Sequence, residues 1–425
     1  MLKSPFFALA VCFFSSALAS AETPYGLKFG GQFRVRGEMT NIANYATPAG
    51  RTATDFVLYR TRLQAEAKPG LGIKTFIQLQ DSRASGSVPG ANNTNVDLHQ
   101  GYVDVTDLWG LPLEVRAGRF GLAYGDERLI SILEWSNVGR SWDGLRLRTG
   151  SDIWKADLFT TNVKEVGKTE NDHRFSGLYA TCSAVENHEM DLYVLARDLG
   201  DGIQTNEDED GTAGARTSGT GNLTERTMGT RIKGKTGIVD YSGEFVYQFG
   251  FKAGDRIQAQ AGALTAGVNF EDFFKSRAGV EWTYASGDSN PNDGYEETFN
   301  PIFPWGHAWQ GHADVFSWRN GHDFAGHFKF APVENLTTGI SYHHFRMEHS
   351  RDSWYGGAGT ALTTDTTGAS GKHVGDEIDV HFKTKFRDAI NVWVGMAHFF
   401  PGEFAKKTAT TRAKSFGFIQ TVINF

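Results

Sequence analysis

Residues 29–39 read FGGQFRVRGEM, and every second position changes character. Phe29, Phe33, Val35 and Met39 are apolar, whereas Gln32, Arg34, Arg36 and Glu38 are polar. A period of two marks a β-strand with one greasy and one wet face. The next alternating stretch repeats the pattern, with Val57, Tyr59, Thr61 and Leu63 opposing Leu58, Arg60, Arg62 and Gln64. In neighbouring strands, Arg34, Arg36, Arg60 and Arg62 share one face. Unpaired charges in a dry interior cost several kcal/mol each, against a total stability of only ~5–15 kcal/mol. The arginine face therefore calls for water, and the other face for an apolar medium.

The alternation continues along the chain. Met190, Leu192 and Val194 oppose Asp191, Tyr193 and Arg197; Val239, Tyr241, Phe245, Tyr247 and Phe249 oppose Asp240, Ser242, Glu244 and Gln248. Ile419, Thr421, Ile423 and Phe425 share the last apolar face. Short turn-like connections at 68–72, 107–112, 149–151, 235–237, 331–335 and 387–389 separate longer polar ones. The long ones fall at 40–53, 83–95, 120–141, 199–222, 287–321 and 348–372. This is the rhythm of an all-β, transmembrane antiparallel β-barrel with short periplasmic turns and long external loops. About eighteen strands are expected, an even number. A strand of ~12 residues rising ~3.3 Å each, tilted ~40°, spans roughly 30 Å and covers the ~25 Å apolar band. One short helical turn is expected near 128–135. A soluble sandwich or propeller with its polar face outward fits the same alternation. The closing segment SFGFIQTVINF argues against it, because an amphipathic last strand ending in an aromatic, here Phe425, is what barrel-assembly machinery reads.

Lys3 is the only charge before Glu22, and an apolar stretch leads to Ala19 and Ala21 in small-x-small spacing. Residues 1–21 are expected to be a signal peptide and 22–425 one barrel in the outer membrane of a Gram-negative cell. Beyond the signal, Cys182 is the one cysteine, so no intrachain disulfide is expected. Losing Lys3 takes the formal charge from −7 to −8, which offers no footprint for nucleic acid. No later apolar run approaches the ~18 residues of a membrane helix.

The stretch AGRFGLAYGDERLISILEWSNVGRSWDGLRLR, 117–148, is not simple strand. It carries Gly118-Arg119, Gly125-Asp126, Arg128-Leu129, Trp135-Ser136-Asn137, Arg140 and Asp143-Gly144. Further on come YASGDSNPNDGYEETFNPIFPWGHAWQG at 284–311, VGDEIDV at 374–380 and FFPGE at 399–403. Taken in order, these motifs resemble the alginate-export family of outer-membrane barrels over nearly all of the mature chain. The resemblance implies an eighteen-stranded monomer that passes an anionic exopolysaccharide through an electropositive constriction. Arg36, Arg60, Arg62, Arg119, Arg128, Arg140, Asp143 and Arg146 match the family's polar lumen pattern, and Arg34 and Arg148 complete the expected pore lining. Guanidinium groups bind carboxylates bidentately, and rows of them give a polyanion many weak sites instead of one trap. Asp126, Glu127 and Asp143 would hold the arginines and moderate affinity. For Arg119, Arg128, Arg140 and Asp143 a second reading stands beside this one, an ion-pair network that pins an inward-folded loop.

Three functions compete: export of an anionic polysaccharide or oligosaccharide, an anion-preferring porin for small-solute uptake, and a surface receptor whose loops plug the barrel. The segment 287–321, with Trp305 and Trp309, suits a fixed plug. Expected contacts besides the cargo are outer-membrane lipid and lipopolysaccharide. The calcium-like spacing of DSNPNDG at 288–294 has its glycine one place late and no twelfth-position glutamate, so it reads as a solvated turn. The acidic run NEDEDG at 206–211 reads as a solvated external loop. His343 and His344 show no third ligand in sequence, and no nucleophile motif accompanies His307 or His312. No enzyme activity, cofactor or metal is expected.

Overall fold

Strand β1 (Lys28–Thr40) pairs antiparallel with β2 (Thr54–Gly70), Arg34 opposite Arg60. This register brings the arginines onto one face, because side chains alternate strictly along a pleated strand. In the computed structural model, which describes residues 24–85, 96–164, 173–200, 222–290 and 292–425, the same pairing runs around a closed wall. The expected signal peptide and the acidic run 206–211 lie outside the described residues. The wall continues through β3 (Ile73–Ser85), β4 (Asp97–Val105), β5 (Leu113–Phe120), β6 (Trp142–Gly150), β7 (Trp154–Val163) and β8 (Arg174–Cys182). Then follow β9 (His188–Leu199), β10 (Leu223–Thr236), β11 (Val239–Lys252), β12 (Asp255–Phe270) and β13 (Ser276–Ala285). It is completed by β15 (Gly321–Val333), β16 (Leu336–Met347), β19 (His373–Phe386), β20 (Ile390–Pro401) and β21 (Lys414–Asn424). Three short strands, β14 (Tyr295–Glu296), β17 (Ser353–Tyr355) and β18 (Ala361–Thr364), sit within the long connections.

Closure is made by β21 against β1, from Gln32 opposite Asn424 to Thr40 opposite Phe416. The wall is an eighteen-strand antiparallel barrel, as the alternation predicts. Phe425 finishes the seam: its N–H donates to the Gly31 carbonyl at 3.1 Å and its own carbonyl accepts from the Gly31 N–H at 2.7 Å. A Cβ on Gly31 would stand 2.5 Å from the Phe425 ring, so only glycine lets the ring lie flat there. Among the described residues, closure leaves no strand of the wall with an unpaired edge, which a sheet in lipid requires.

Phe29, Leu63, Leu145, Leu158, Leu192, Phe245, Leu264, Val280, Met396 and Ile419 are exposed on the outer face. Among the described residues no helix is long and apolar enough to cross a membrane. The turns at 71–72, 151–153, 237–238, 334–335 and 387–389 are tight. The opposite end carries the long connections, with one exception: β11 passes to β12 through Ala253 and Gly254 alone. The expected helical turn at 128–135 is absent; those residues form turns and an isolated bridge. The single α-helix among the described residues is α1 (Glu403–Thr408), which follows the FFPGE motif.

Candidate functional site

Two long connections, 121–141 and 286–320, fold back into the barrel and lie against each other. The Ser131 N–H donates to the Phe303 carbonyl at 2.9 Å, the Phe303 N–H to Leu129 at 2.9 Å, and the Trp305 N–H to Glu127 at 3.0 Å. This explains the missing helix: backbone groups that would close helical turns are bonded to a second segment. Around this junction Phe120, Leu129, Trp142, Phe159, Phe175, Phe299, Phe303 and Trp318 form one apolar cluster. A second cluster joins Phe316 to Tyr45, Phe345, Trp354, Phe399 and Phe404 of α1. Each such side chain contributes roughly 1.5–3 kcal/mol on burial, so the infolded segments are packed structure and not loose loop.

The wall facing segment 121–141 is cationic. Arg34 donates to the Glu134 carbonyl at 2.5 Å, to Ser136 O at 2.9 Å and to Asn137 Oδ1 at 3.0 Å. Arg36 bonds Glu38 at 2.6 Å and the Trp135 carbonyl at 2.6 Å, with its guanidinium 3.6 Å above the Trp135 ring. Arg60 and Arg62 clasp the two oxygens of Glu134 at 2.5 and 2.7 Å. Arg62 also reaches Gln80 at 2.6 Å and His99 at 2.9 Å. All four arginines face inward, and all four are buried. Where the charge argument places water over them, the structure places segment 121–141. Its carbonyls supply the hydrogen bonds that water would otherwise give. Burial alone would raise the Glu134 carboxyl, but Arg60 and Arg62 outweigh it and hold the group down at about 2.

Carboxylates elsewhere on the wall, on β10 and β19, grip N–H groups. Glu377 accepts from the Ala313 N–H at 2.8 Å and Asp379 from the His312 N–H at 3.1 Å. Glu225 accepts from the Asn300 amide at 3.1 Å. Gly311, at φ +80°, passes so close to Glu377 that a Cβ would lie 2.5 Å from its Oε1. Arg128, on the infolded segment, pairs with Glu281 at 3.1 Å and stacks on Trp309 at 3.7 Å. Arg140 donates to the Pro304 carbonyl at 2.9 Å, tying the two segments together; burial lowers its pKa to about 10, which leaves it charged. Cations thus anchor one segment by its carbonyls, and carboxylates anchor the other by its amides.

The remaining predicted residues divide. Arg146 and Arg148 face inward, paired with Glu114 at 2.6 Å and with Asp157 at 2.6 and 2.7 Å. Arg119 and Asp143 do not face the lumen. They form a bidentate pair, both bonds 2.7 Å, on the outer face near the long-loop end of β5 and β6. Asp143 shares its face with the exposed Leu145, whereas Trp142 and Arg146 point inward. The placement follows from parity, and mutual neutralisation lets both charges sit at the rim. The calcium-like run keeps the Asp288 carboxylate on the Asn290 N–H at 2.9 Å, an Asx turn.

Toward the short-turn end, the described residues enclose cavities beside and below the infolded segments. One, of about 580 Å³, is lined by Lys233, Arg277, His307, His312, His327 and Lys329, among others. The ring nitrogens of the partly buried His312 are shielded there, and desolvation, with His307, His381, His343 and Lys383 nearby, depresses its basicity well below that of a free imidazole. The other, of about 450 Å³, is lined by Lys383, Lys385, Asn335, Asn391, Gln420 and Trp393 and by no carboxylate among the described residues. The Lys383 ammonium stands 4.2 Å from the Trp393 ring centroid. Sequence reasoning missed this cluster and Glu134. The alternation of KTKF at 383–386 was the available signal for the two lysines.

Solved structures with this architecture include three from Pseudomonas aeruginosa. OccK11 (OpdR) aligns over 94% of this chain and 96% of its own, at TM-score 0.61 and 8% identity. OpdQ aligns over 95% and 99%, at 0.62 and 9%. OccK2 (OpdF), solved in complex with glucuronate, aligns over 94% and 98%, at 0.61 and 9%. At such identities the likeness is one of fold. No curated protein matches the chain in sequence. The alginate export family model matches residues 25–418, nearly the whole chain. With the family's motifs, a lipid-facing outer surface and a porin-like wall in agreement, this protein belongs to the alginate export family and is a channel-type β-barrel of the Gram-negative outer membrane.

Proposed function

We propose that the barrel conducts an anionic, uronate-type polysaccharide or its oligomers. The observation that carries this reading is the cavity at the short-turn end, with Lys383 and Lys385 beside Trp393, Asn391 and Gln420; no carboxylate lines it among the described residues, and Asp388 pairs with Lys385 from its edge at 3.0 Å. A uronate offers a carboxylate to the lysines, hydroxyls to the amides and a C–H face to the indole. Arg34, Arg36, Arg60, Arg62, Arg146 and Arg148 supply the positive background on one side of the lumen, and Arg128 and Arg140 hold the infolded segments that narrow it. Low-dielectric walls strengthen such fields at close range. The protein acts as a monomer amid lipopolysaccharide, inserted through its strand ending in Phe425.

Uptake of small anions is the second reading, favoured by the cavity's size, which suits one small solute, and by the glucuronate complex of OccK2. Planar-bilayer recordings test both. Wild-type channels should prefer anions and be blocked by polyuronate added at the periplasmic side. Changing Lys383 and Lys385 together to Glu should move the zero-current potential toward cations and weaken the block at least tenfold. Block by polymer but not by the monomer supports conduction of polymers, whereas block and permeation by the monomer alone supports uptake. A cation-selective wild type, or block unchanged in the double variant, refutes the site.

A further inference from the structure

His344 and Asp376 face each other across the pairing of β16 with β19, and His373 opens β19 beside them. All three point away from the lumen: their neighbours on the same face are Tyr342 and Ile378, both exposed, while His343, Phe345 and Glu377 are buried inward. Sequence reasoning found no ligand set around His344, because its two partners are 29 and 32 positions downstream and meet it only through strand pairing.

The geometry is that of a ligand set. His344 Nδ1 lies 2.8 Å from Asp376 Oδ1, and His373 Nε2 lies 3.1 Å from Asp376 Oδ2. The two imidazole rings are stacked with centroids 4.8 Å apart and 22° between planes. One donor atom from each of the three falls within 4.8 Å of the other two. Tetrahedral zinc holds its ligands at ~2.0–2.1 Å, hence roughly 3.3 Å from one another. Small side-chain rotations close that gap, and the half-exposed positions allow them. The Tyr342 hydroxyl donates to Asp376 Oδ1 at 2.7 Å, the outer-shell hydrogen bond that orients a ligating carboxylate.

We infer that His344, His373 and Asp376 bind one divalent transition-metal ion of the zinc class on the outer rim of the barrel, with a fourth position open to the surroundings. Two imidazoles and one carboxylate select such an ion over calcium or magnesium, which take oxygen ligands only. The site lies close to the long-loop ends of β16 and β19, and an ion there would staple these two strands at the rim.

The test uses tag-free, chelator-stripped protein in detergent. Zinc chloride is titrated against a chromophoric competitor, and bound metal is counted by mass spectrometry after dialysis. Wild type should retain one ion per barrel. Affinity should fall tenfold or more in His344→Ala, His373→Ala and Asp376→Asn, and stay unchanged in His398→Ala, another outward histidine of the rim. Heat-modifiable migration of each variant reports an intact barrel. X-ray absorption of zinc-loaded wild type gives an answer free of any variant and should show two imidazoles with oxygen ligands. No stoichiometric zinc, full retention in His344→Ala and His373→Ala, or an absorption spectrum without imidazole scattering overturns the site and leaves a plain His–Asp ion pair.

Discussion

Glu134 is the most informative single residue to change. Its carboxylate is the counter-charge for Arg60 and Arg62, and its carbonyl is held by Arg34. Glu134→Gln removes the charge and keeps the shape. A carboxyl held at about 2 against an ordinary 4.5 corresponds to roughly 3 kcal/mol. Because 36% of the side chain is exposed, solvent screens the pair, and about 1–2 kcal/mol is the better figure. That energy is local. The wall's ladders are untouched, so heat-modifiable migration should not change, while segment 121–141 should open about 5–30 times more often. Hydrogen exchange reads this at the Arg140 N–H, bonded to Ile132 O at 2.9 Å, and the Ser136 N–H, bonded to Leu133 O at 3.0 Å. The pH dependence has a definite sign. The Glu134 carboxyl is depressed in the fold, so its contribution is complete above about 4.5 and is lost as pH falls toward about 2. Protection in wild type should weaken across that window beyond the intrinsic change, and the variant should lack the extra loss. Equal exchange in both proteins at pH 7 would mean that the carbonyl contacts alone hold the segment, and the charge argument would be wrong.

Replacing Arg119 and Asp143 together with Ala should leave conductance and reversal potential unchanged, because the pair faces outward; a selectivity change would contradict that placement. Deleting 288–319 with a short Gly-Ser bridge should raise single-channel conductance and move selectivity toward cations, since Glu281, Glu377 and Asp379 lose their cover. Unchanged conductance would remove the segment from the permeation path. Phe425→Asp should slow assembly and leave protein in the periplasm, and Gly31→Val should do the same by displacing the Phe425 ring; normal amounts of heat-modifiable Phe425→Asp protein in the outer membrane would contradict the seam.

The wall was legible because alternation is local. Arg34, Arg36, Arg60 and Arg62 could be placed on the inner face from four residues of context each. Parity also contained the correct side for Arg119 and Asp143: in DGLRLR, Arg146 and Arg148 fall on the face opposite Asp143. Matching motifs to a lumen pattern obscured that simpler signal. What lies over the arginines was not legible. Nothing in SILEWSN says that its carbonyls will turn toward β1 and β2, since the partners are about a hundred positions upstream. The turns at 128–135 looked helical for the same reason: local propensity yielded to bonds with 303–305. The cavity lysines were missed because Lys383, Lys385, Trp393 and Gln420 come from three strands and meet only through the register of β19, β20 and β21.

The three backbone bonds that join 127–131 to 303–305 have a mechanical consequence. Across this seam Ser131 and Phe303 bond in one short parallel bridge, Trp305 adds a third bond to Glu127, and Arg140 a fourth tie to Pro304. A force sliding one segment along the other loads these bonds together in shear, so the pair resists as one body. A force lifting one segment from its end loads them in turn, each giving way at the modest strength of a single bond. The same seam is stiff to traction along its axis and yields to peeling, and the direction of pull decides which of the two is felt.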